Sequence, residues 1–249
     1  MPPLCSSRNA LEGRRLLVIG AGGLGCAVLA ALADSGAVLV LADDDVVDVS
    51  NLHRQILYGP DSVGKDKLDE ARRALLSLGV GERRIELVRS RFLPENARSL
   101  AASVDLVLEG ADNYATKFLA ADACYLEQRP VVHGAAVRLV ATVLYSAAVA
   151  RPCYRCLFED VPPGAQQNCA GAGVLGPVVG FAGALMAEFA LRALSLGEPL
   201  AGTLASYSAL TDELRQISVP HNPSCPLCGQ NPDISRIEET RYTAPSCAA

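Results

Sequence analysis

The sequence predicts an α/β fold: a mostly parallel sheet with helices on both faces, extended by antiparallel C-terminal strands. Three observations carry this expectation. A short apolar run, Leu16 to Ile19, opens onto Gly20, Gly22 and Gly25, then a helical stretch and a second strand. Strand-like and helix-like segments keep alternating as far as Leu108, the pattern of a parallel sheet wound by crossover helices. From Pro130 onward strands follow one another without an intervening helix, so the sheet should continue antiparallel.

Taken in order, Gly20, Gly22 and Gly25 have the G-x-G-x-x-G spacing of a Rossmann-like turn. The first permits a tight bend, the second lets a phosphate approach the backbone, and the third lets helix and strand pack closely. A helix from about Gly23 to Ser35 would aim its free N–H groups at an anion, with Gly36 as its stop. Val38 to Ala42 reads as the second strand, and Asp43 stands where such folds hydrogen-bond a ribose hydroxyl. The glycine spacing alone also occurs in tight turns without ligand; the strand, helix, strand and Asp context favours a nucleotide.

The following loop holds more cationic and amide density than a dinucleotide needs. Asn51, Arg54 and Gln55 lie just past the acidic strand end, and Lys65 and Lys67 open the next helix. A helix N-terminus handles one pyrophosphate, whereas a triphosphate calls for added cations, so the arrangement favours ATP over NAD.

Lys67 to Leu78 has helical apolar spacing, followed by a strand at Ile85 to Val88, a helix at Pro94 to Ala102 and a strand at Val104 to Leu108. Glu109 to Asn113 then falls at the carboxyl edge of the sheet, where open α/β folds bind ligands. Asp112 is therefore a candidate ligand for the Mg2+ that accompanies ATP, or else a cap for the helix from Tyr114 to Glu127. Further strands are expected at Val131 to Gly134, Leu139 to Ser146, Leu204 to Tyr207 and Glu213 to Val219. The charge-free stretch from Ala170 to Ala187 is rich in glycine and runs into Glu188 and Arg192. It predicts a buried or subunit-interface helix at about Pro177 to Leu196, not a membrane span. Residues 1–232 read as one domain and 233–249 as a disordered tail.

With 249 residues, a net charge of −5 and a pI near 5.3, the chain suits neither a nucleic acid nor an anionic membrane surface. No basic segment with an apolar core opens it, so a cytoplasmic protein is expected. Nine cysteines include two C-x-x-C pairs, Cys153 with Cys156 and Cys225 with Cys228. Each pair has the gap that lets two sulfurs grip one tetrahedral metal, and together they predict a structural four-cysteine Zn2+ site. Neither pair opens a helix after a strand, as a redox pair in a thioredoxin-like unit would. Cys5, Cys26, Cys124 and Cys247 read as incidental.

GAGGLG from Gly20, DDDVVDVSNLHRQ from Asp43, GKDK from Gly64 and GADN from Gly110 together resemble the ubiquitin-activating-enzyme-like adenylyltransferases of the MoeB, ThiF and HesA group. The likeness runs from about Leu11 to Gly229. It implies an adenylyltransferase that joins ATP to the C-terminal carboxylate of a small ubiquitin-like sulfur-carrier protein ending in Gly-Gly, releasing pyrophosphate. It further implies that Gly20, Gly22 and Gly25 shape the phosphate turn and that Asp43 holds the ribose. Asn51, Arg54 and Gln55 would contact the triphosphate, with Arg54 stabilising the charge of the leaving pyrophosphate; Lys67 would span the phosphates and Asp112 carry magnesium. The family's zinc falls on the same four cysteines. Cys169, in a polar loop, takes the place where some members carry a reactive cysteine, and is otherwise an incidental small residue.

The resemblance also implies a homodimer in which an N-terminal arginine reaches the partner's ATP site. The usual R-Y-x-R-Q-like segment is missing, which leaves three alternatives: Arg8, Arg14 or Arg15 as substitutes, a true start upstream, or slower transfer. No C-terminal rhodanese domain follows Cys228, so a separate cysteine desulfurase or rhodanese is the expected sulfur donor. Other readings stay open: adenylation of a non-protein or tRNA-linked carboxylate, or a catalytically impaired subunit that holds a ubiquitin-like protein. An NAD-dependent oxidoreductase would leave Arg54, Lys67 and the cysteine pairs unexplained.

Overall fold

The computed structural model describes residues 8–148, 151–161, 173–197 and 200–242. Its strands are β1 (Arg15–Ile19), β2 (Val38–Asp43), β3 (Ile85–Arg89), β4 (Leu106–Glu109), β5 (Val131–Val137), β6 (Val140–Ser146), β7 (Thr203–Ser208) and β8 (Glu213–Ser218). They form one eight-stranded sheet in the order β3-β2-β1-β4-β5-β6-β7-β8. Pairings from β3 to β5 are parallel and those from β5 to β8 antiparallel. The switch comes at Pro130, as expected, because a short hairpin can join only antiparallel neighbours.

The helices are α1 (Gly23–Ala31), α2 (Lys67–Ser77), α3 (Ala97–Ala102), α4 (Tyr114–Leu126), a short α5 (Tyr154–Leu157) and α6 (Gly176–Leu191). Side chains alternate across a strand, so the central strands feed two cores. Leu16, Val18, Leu39, Leu41, Leu106 and Leu108 pack under α1, α2 and α6. Leu17, Ile19, Val40, Ala42 and Val107 pack under α3 and α4. Buried on both faces, these strands read as continuous apolar runs.

By length and composition the helical stretch from Gly176 to Leu196 could cross a membrane. In the fold it is a core element: Val178, Val179, Ala182, Met186, Phe189 and Ala190 are buried. A Cβ on Gly183 would stand 2.5 Å from that of Ala27, so this glycine lets α6 lie directly on α1.

Four details differ from the sequence expectation. The helix expected from Pro94 starts at Ala97, because Asn96 Oδ1 accepts from the Leu93 N–H and closes a turn first. Beyond Ala31 the chain tightens into turns whose N–H groups reach back three residues, Ala33 to Ala30 and Ser35 to Leu32. Asp112 does not cap α4; Asn113 does, its Oδ1 accepting from the Thr116 N–H at 2.9 Å. The tail expected from residue 233 packs onto the domain as far as Tyr242: Ile234 is buried among the cysteines, and the Tyr242 hydroxyl donates to Asp122 on α4 at 2.9 Å. Sparse apolar spacing made that segment look unstructured; one buried side chain at each end anchors it.

Candidate functional site

A cleft of about 890 Å³ opens at the carboxyl edge of the parallel strands. Its floor is the glycine turn between β1 and α1. Gly20 has φ +88°, a conformation in which a Cβ is strained. Gly22 is the N-cap of α1 without any side-chain cap, so the first N–H groups of the helix stay available to an anion. Gly25 does not line the cleft; a Cβ there would lie 1.9 Å from the Gly20 carbonyl oxygen, so its role is to let the helix sit against the turn. Tyr58, buried beneath, donates to the Ala21 carbonyl at 2.8 Å.

Asp43 at the end of β2 is 9% exposed, and its two oxygens accept from the Ala21 N–H at 2.6 Å and the Asp45 N–H at 2.8 Å. Those bonds fix the carboxylate at the rim, one acceptor per oxygen used. Arg54 is held by Asn51, whose Oδ1 accepts from its guanidinium, while its other terminal nitrogen lies 3.3 Å from His53 Nε2. Gln55 is buried, its Oε1 without a hydrogen-bond partner among the described residues, and its Nε2 faces Gly22. Lys67 is nearly buried, its Nζ 2.9 Å from Asp45 Oδ2. Burial would raise the Asp45 carboxyl, but Lys67 and Arg91 outweigh it and hold the group below its ordinary range. Asp112, which also lines the cleft, is exposed and, among the described residues, has no ion-pair or hydrogen-bond partner.

Gly20, Gly22, Asp43, Asn51, Arg54, Gln55, Lys67 and Asp112 thus line one cleft, together with the anion-ready end of α1. Arg14 and Arg15 are elsewhere. They lie at the other end of β1, paired with Asp105 at 3.6 Å and with Glu86 at 2.6 Å, and neither they nor Arg8 line the cleft. Cys169 falls outside the described residues.

A profile of the ThiF family matches residues 6–227. This chain belongs to the ThiF family. Sulfur carrier protein adenylyltransferase of Thermus thermophilus is 41% identical over 90% of this chain and 86% of the relative. SAMP-activating enzyme E1 of Haloferax volcanii is 38% identical over 97% and 89%, and molybdopterin-synthase adenylyltransferase of Salmonella typhimurium 37% over 90% and 90%. The crystal structure of E. coli MccB with AMPCPP and MccA aligns with a TM-score of 0.76 over 90% of this chain and 69% of that one. At 21% identity, that likeness concerns the fold.

In this ThiF-family chain the second predicted site is also assembled. The Sγ atoms of Cys153, Cys156, Cys225 and Cys228 all lie within 4.8 Å of one another, with Cys153 to Cys225 at 3.5 Å and Cys156 to Cys228 at 3.4 Å. Tetrahedral zinc with Zn–S bonds of about 2.3 Å sets sulfurs roughly 3.8 Å apart, so the donor set fits that metal. The N–H groups of Asn222 and Cys228 point at Cys156 and Cys225 sulfur, the outer support a thiolate site needs.

The ThiF-family cleft has a buried polar network behind it that spacing alone did not reveal. Glu109, fully buried at the end of β4, accepts from the Ala111 N–H at 2.7 Å, from Lys117 Nζ at 2.9 Å, and faces His133 Nδ1 at 3.2 Å. Lys117 also donates to the Gly134 carbonyl at 2.6 Å. The network ties the loop carrying Asp112 to α4 and β5. Its one sequence signal is a lysine on the face of α4 that otherwise carries Phe118, Ala120 and Ala121. Burial would push Glu109 up, but Lys117 and His133 outweigh it and hold it ionised. Burial holds the His133 imidazole below its ordinary 6.5, against the pull of Glu109.

A folded-state His pKa below the unfolded value means that the unfolded chain takes up a proton first as pH falls. Stability is therefore present above 6.5 and lost as pH falls below it. His133→Gln removes this component, so the stability difference between pH 7.5 and 5.5, read by urea melts, shrinks by about 1 kcal/mol. An unchanged pH slope would place the acid sensitivity elsewhere.

Proposed function

We propose that this protein is an adenylyltransferase that uses ATP to adenylate the C-terminal glycine carboxylate of a small ubiquitin-like sulfur-carrier protein. The observation that carries the reading is the convergence of Arg54, Lys67 and Asp112 on a cleft floored by an uncapped helix N-terminus, in a chain whose ThiF-family relatives include enzymes named for that reaction.

The donor carboxylate is already ionised, so the reaction needs no general base. One carboxylate oxygen attacks the α-phosphorus; the bond to the bridging oxygen of pyrophosphate breaks, and the electron pair leaves with pyrophosphate. The chain has to align the two anions and neutralise them. Gly22 and the first turn of α1 cradle phosphate oxygens, Asp43 accepts from the ribose, and Asn51 and Gln55 orient the triphosphate. Lys67, its position set by Asp45, spans the phosphates, and Arg54 meets the charge on the departing pyrophosphate. Asp112 holds Mg2+, which when bound neutralises the phosphates.

Cys153, Cys156, Cys225 and Cys228 hold Zn2+; a closed four-thiolate set has no open position, so its contribution is structural. A separate sulfur donor such as a cysteine desulfurase or rhodanese then consumes the acyl adenylate in the cytoplasm: its persulfide sulfur displaces AMP to give an acyl disulfide, and a thiol reduces that disulfide to release the thiocarboxylate. The working unit is a homodimer. Val137, Leu139, Val140, Leu175 and Leu210 leave an exposed apolar surface at the tip of the β5–β6 hairpin, of the kind a second copy covers.

ATP–pyrophosphate exchange tests the reading. Purified protein should incorporate labelled pyrophosphate into ATP only with a carrier ending in Gly-Gly, and not with the same carrier shortened by its last glycine. Exchange that a small carboxylate supports as well as any carrier, or ATP binding without exchange, would overturn the protein-carrier assignment.

A further inference from the structure

Three residues past Gln55, Tyr58 is 7% exposed, while the nearby Ile56 is 61% exposed. Burying a phenol and leaving an aliphatic side chain in water is favourable where the buried hydroxyl gains hydrogen-bond partners. The Tyr58 hydroxyl has two. It donates to the Ala21 carbonyl at 2.8 Å and is shared with the Lys67 carbonyl at 3.2 Å. Burial pushes the phenol up, so it stays a donor throughout the neutral and alkaline range.

The shorter of these bonds acts on the phosphate turn. The Ala21 carbonyl and the Gly22 N–H belong to one peptide unit, which is trans: among the described residues the cis bond is Arg151-Pro152. In a trans peptide the two groups point in opposite directions. With the carbonyl drawn toward Tyr58 in the core, the Gly22 N–H is turned the other way, and Gly22 lines the cleft. The Ala21 N–H, on the preceding peptide unit, donates to Asp43 Oδ2 at 2.6 Å, so the chain is fixed on both sides of the Ala21 α-carbon. Cys26 Sγ also approaches the Ala21 carbonyl, at 3.5 Å, but a thiol is the weaker donor.

The remaining contacts tie that turn to the two cations. The Tyr58 N–H donates at 3.0 Å to the carbonyl of Gln55, the residue after Arg54. Lys67, whose carbonyl shares the hydroxyl, opens α2 and donates its own N–H to the Asp45 carbonyl at 3.0 Å. The glycine turn, the loop of Arg54 and the start of α2 thus meet at one side chain that does not itself line the cleft.

We propose that Tyr58 is a positioning residue for the nucleotide: its hydroxyl holds the Ala21–Gly22 peptide so that the Gly22 N–H faces the ATP phosphates, and keeps Lys67 in register with that turn. The inference rests on the adenylation reading above for the identity of the nucleotide. A hydrogen bond to the carbonyl also polarises the peptide, which makes its N–H a stronger donor to a phosphate oxygen. The ribose end has its own holder in Asp43, so the effect of the hydroxyl is confined to the phosphates.

The test compares Tyr58→Phe, Ser62→Ala and wild type, each as the full chain. Binding of ATP and of adenosine is measured by calorimetric titration without carrier, and the KM values for ATP and carrier by exchange. Ser62 controls for structure. It is 1% exposed, and its hydroxyl donates to Glu70 and accepts from Arg73 and the Gly59 N–H, not from the glycine turn or Lys67. Tyr58→Phe should weaken ATP binding and raise the KM for ATP about tenfold, the worth of one well-placed hydrogen bond, and leave adenosine binding and the KM for carrier unchanged. Ser62→Ala should leave all four unchanged. If Tyr58→Phe melts early, the titrations are made at a temperature where every variant stays folded, and the ratio of ATP to adenosine affinity carries the result, because a smaller folded fraction affects both ligands alike. Equal weakening of ATP and adenosine, a loss matched by Ser62→Ala, or unchanged ATP binding overturns the proposal. Failure of the adenylation reading looks different: ATP binding keeps its dependence on Tyr58 while the wild type shows no carrier-dependent exchange. A wild type that binds no ATP overturns both.

Discussion

Asp112→Ala lowers carrier-dependent ATP–pyrophosphate exchange by about a hundredfold or more, while thermal unfolding stays within about 0.5 kcal/mol of wild type. The two halves of this expectation have separate causes. Asp112 is exposed and, among the described residues, makes no hydrogen bond or ion pair, and the cap of α4 belongs to Asn113, so removing its carboxylate breaks nothing in the fold. The same carboxylate lines the cleft that Arg54 and Lys67 also line, and in the proposed reaction it would hold the Mg2+ that neutralises the phosphates. Asn113→Ala is the informative contrast. It loses the helix cap, costs about 1 kcal/mol in stability, and leaves the carboxylate of Asp112 in place. Exchange and denaturant midpoints measured for both variants separate charge from scaffold. Near-wild-type exchange by Asp112→Ala would remove this residue from the chemistry.

Cys225→Ser releases the metal and lowers the melting temperature by about 10 °C. The size follows from what the four sulfurs hold. Cys225 and Cys228 anchor a segment with little apolar surface of its own, where Leu227 and Ile234 are buried with the cysteines and with Tyr125 packed against them. On the other side of the site, Tyr154 and Arg155 reach the core from between Cys153 and Cys156, and Tyr242 completes the pairing of Arg155 with Asp122. Loss of several kcal/mol in a domain of this size moves the midpoint by about that much. Chelation of the wild type should reproduce both the metal loss and the shift, read by metal analysis and differential scanning calorimetry. A variant that keeps its melting temperature after losing metal would show that packing alone seats the knuckle.

Much of the architecture could be read without coordinates because its signals are short. The glycine spacing after Leu16 to Ile19, the helical spacing of Leu68, Ala71 and Leu75, and the change of pattern at Pro130 each lie within a window that one element spans. Each element's type follows from steric and periodic rules that act within such a window. The cleft residues were legible for a related reason: in a parallel sheet every strand delivers its carboxyl end to the same edge, so Gly20, Asp43 and Asp112 had to be neighbours. The residues behind them were not. Lys117 looks like any lysine on a helix, and Glu109 like the end of a strand, until β4, α4 and β5 bring them together with His133.

The sequence by itself determined the order and type of the elements, the edge at which the site forms, and the four cysteines that gather into one cluster. Only the tertiary structure decided which polar groups are buried and what they meet. It chose Asn113 over Asp112 as the cap, folded Tyr242 back to Asp122 across 120 positions of chain, and set Tyr154 against His133. Burial of a charge or a ring is decided by what packs over it, and those partners come from distant parts of the chain that no local spacing connects.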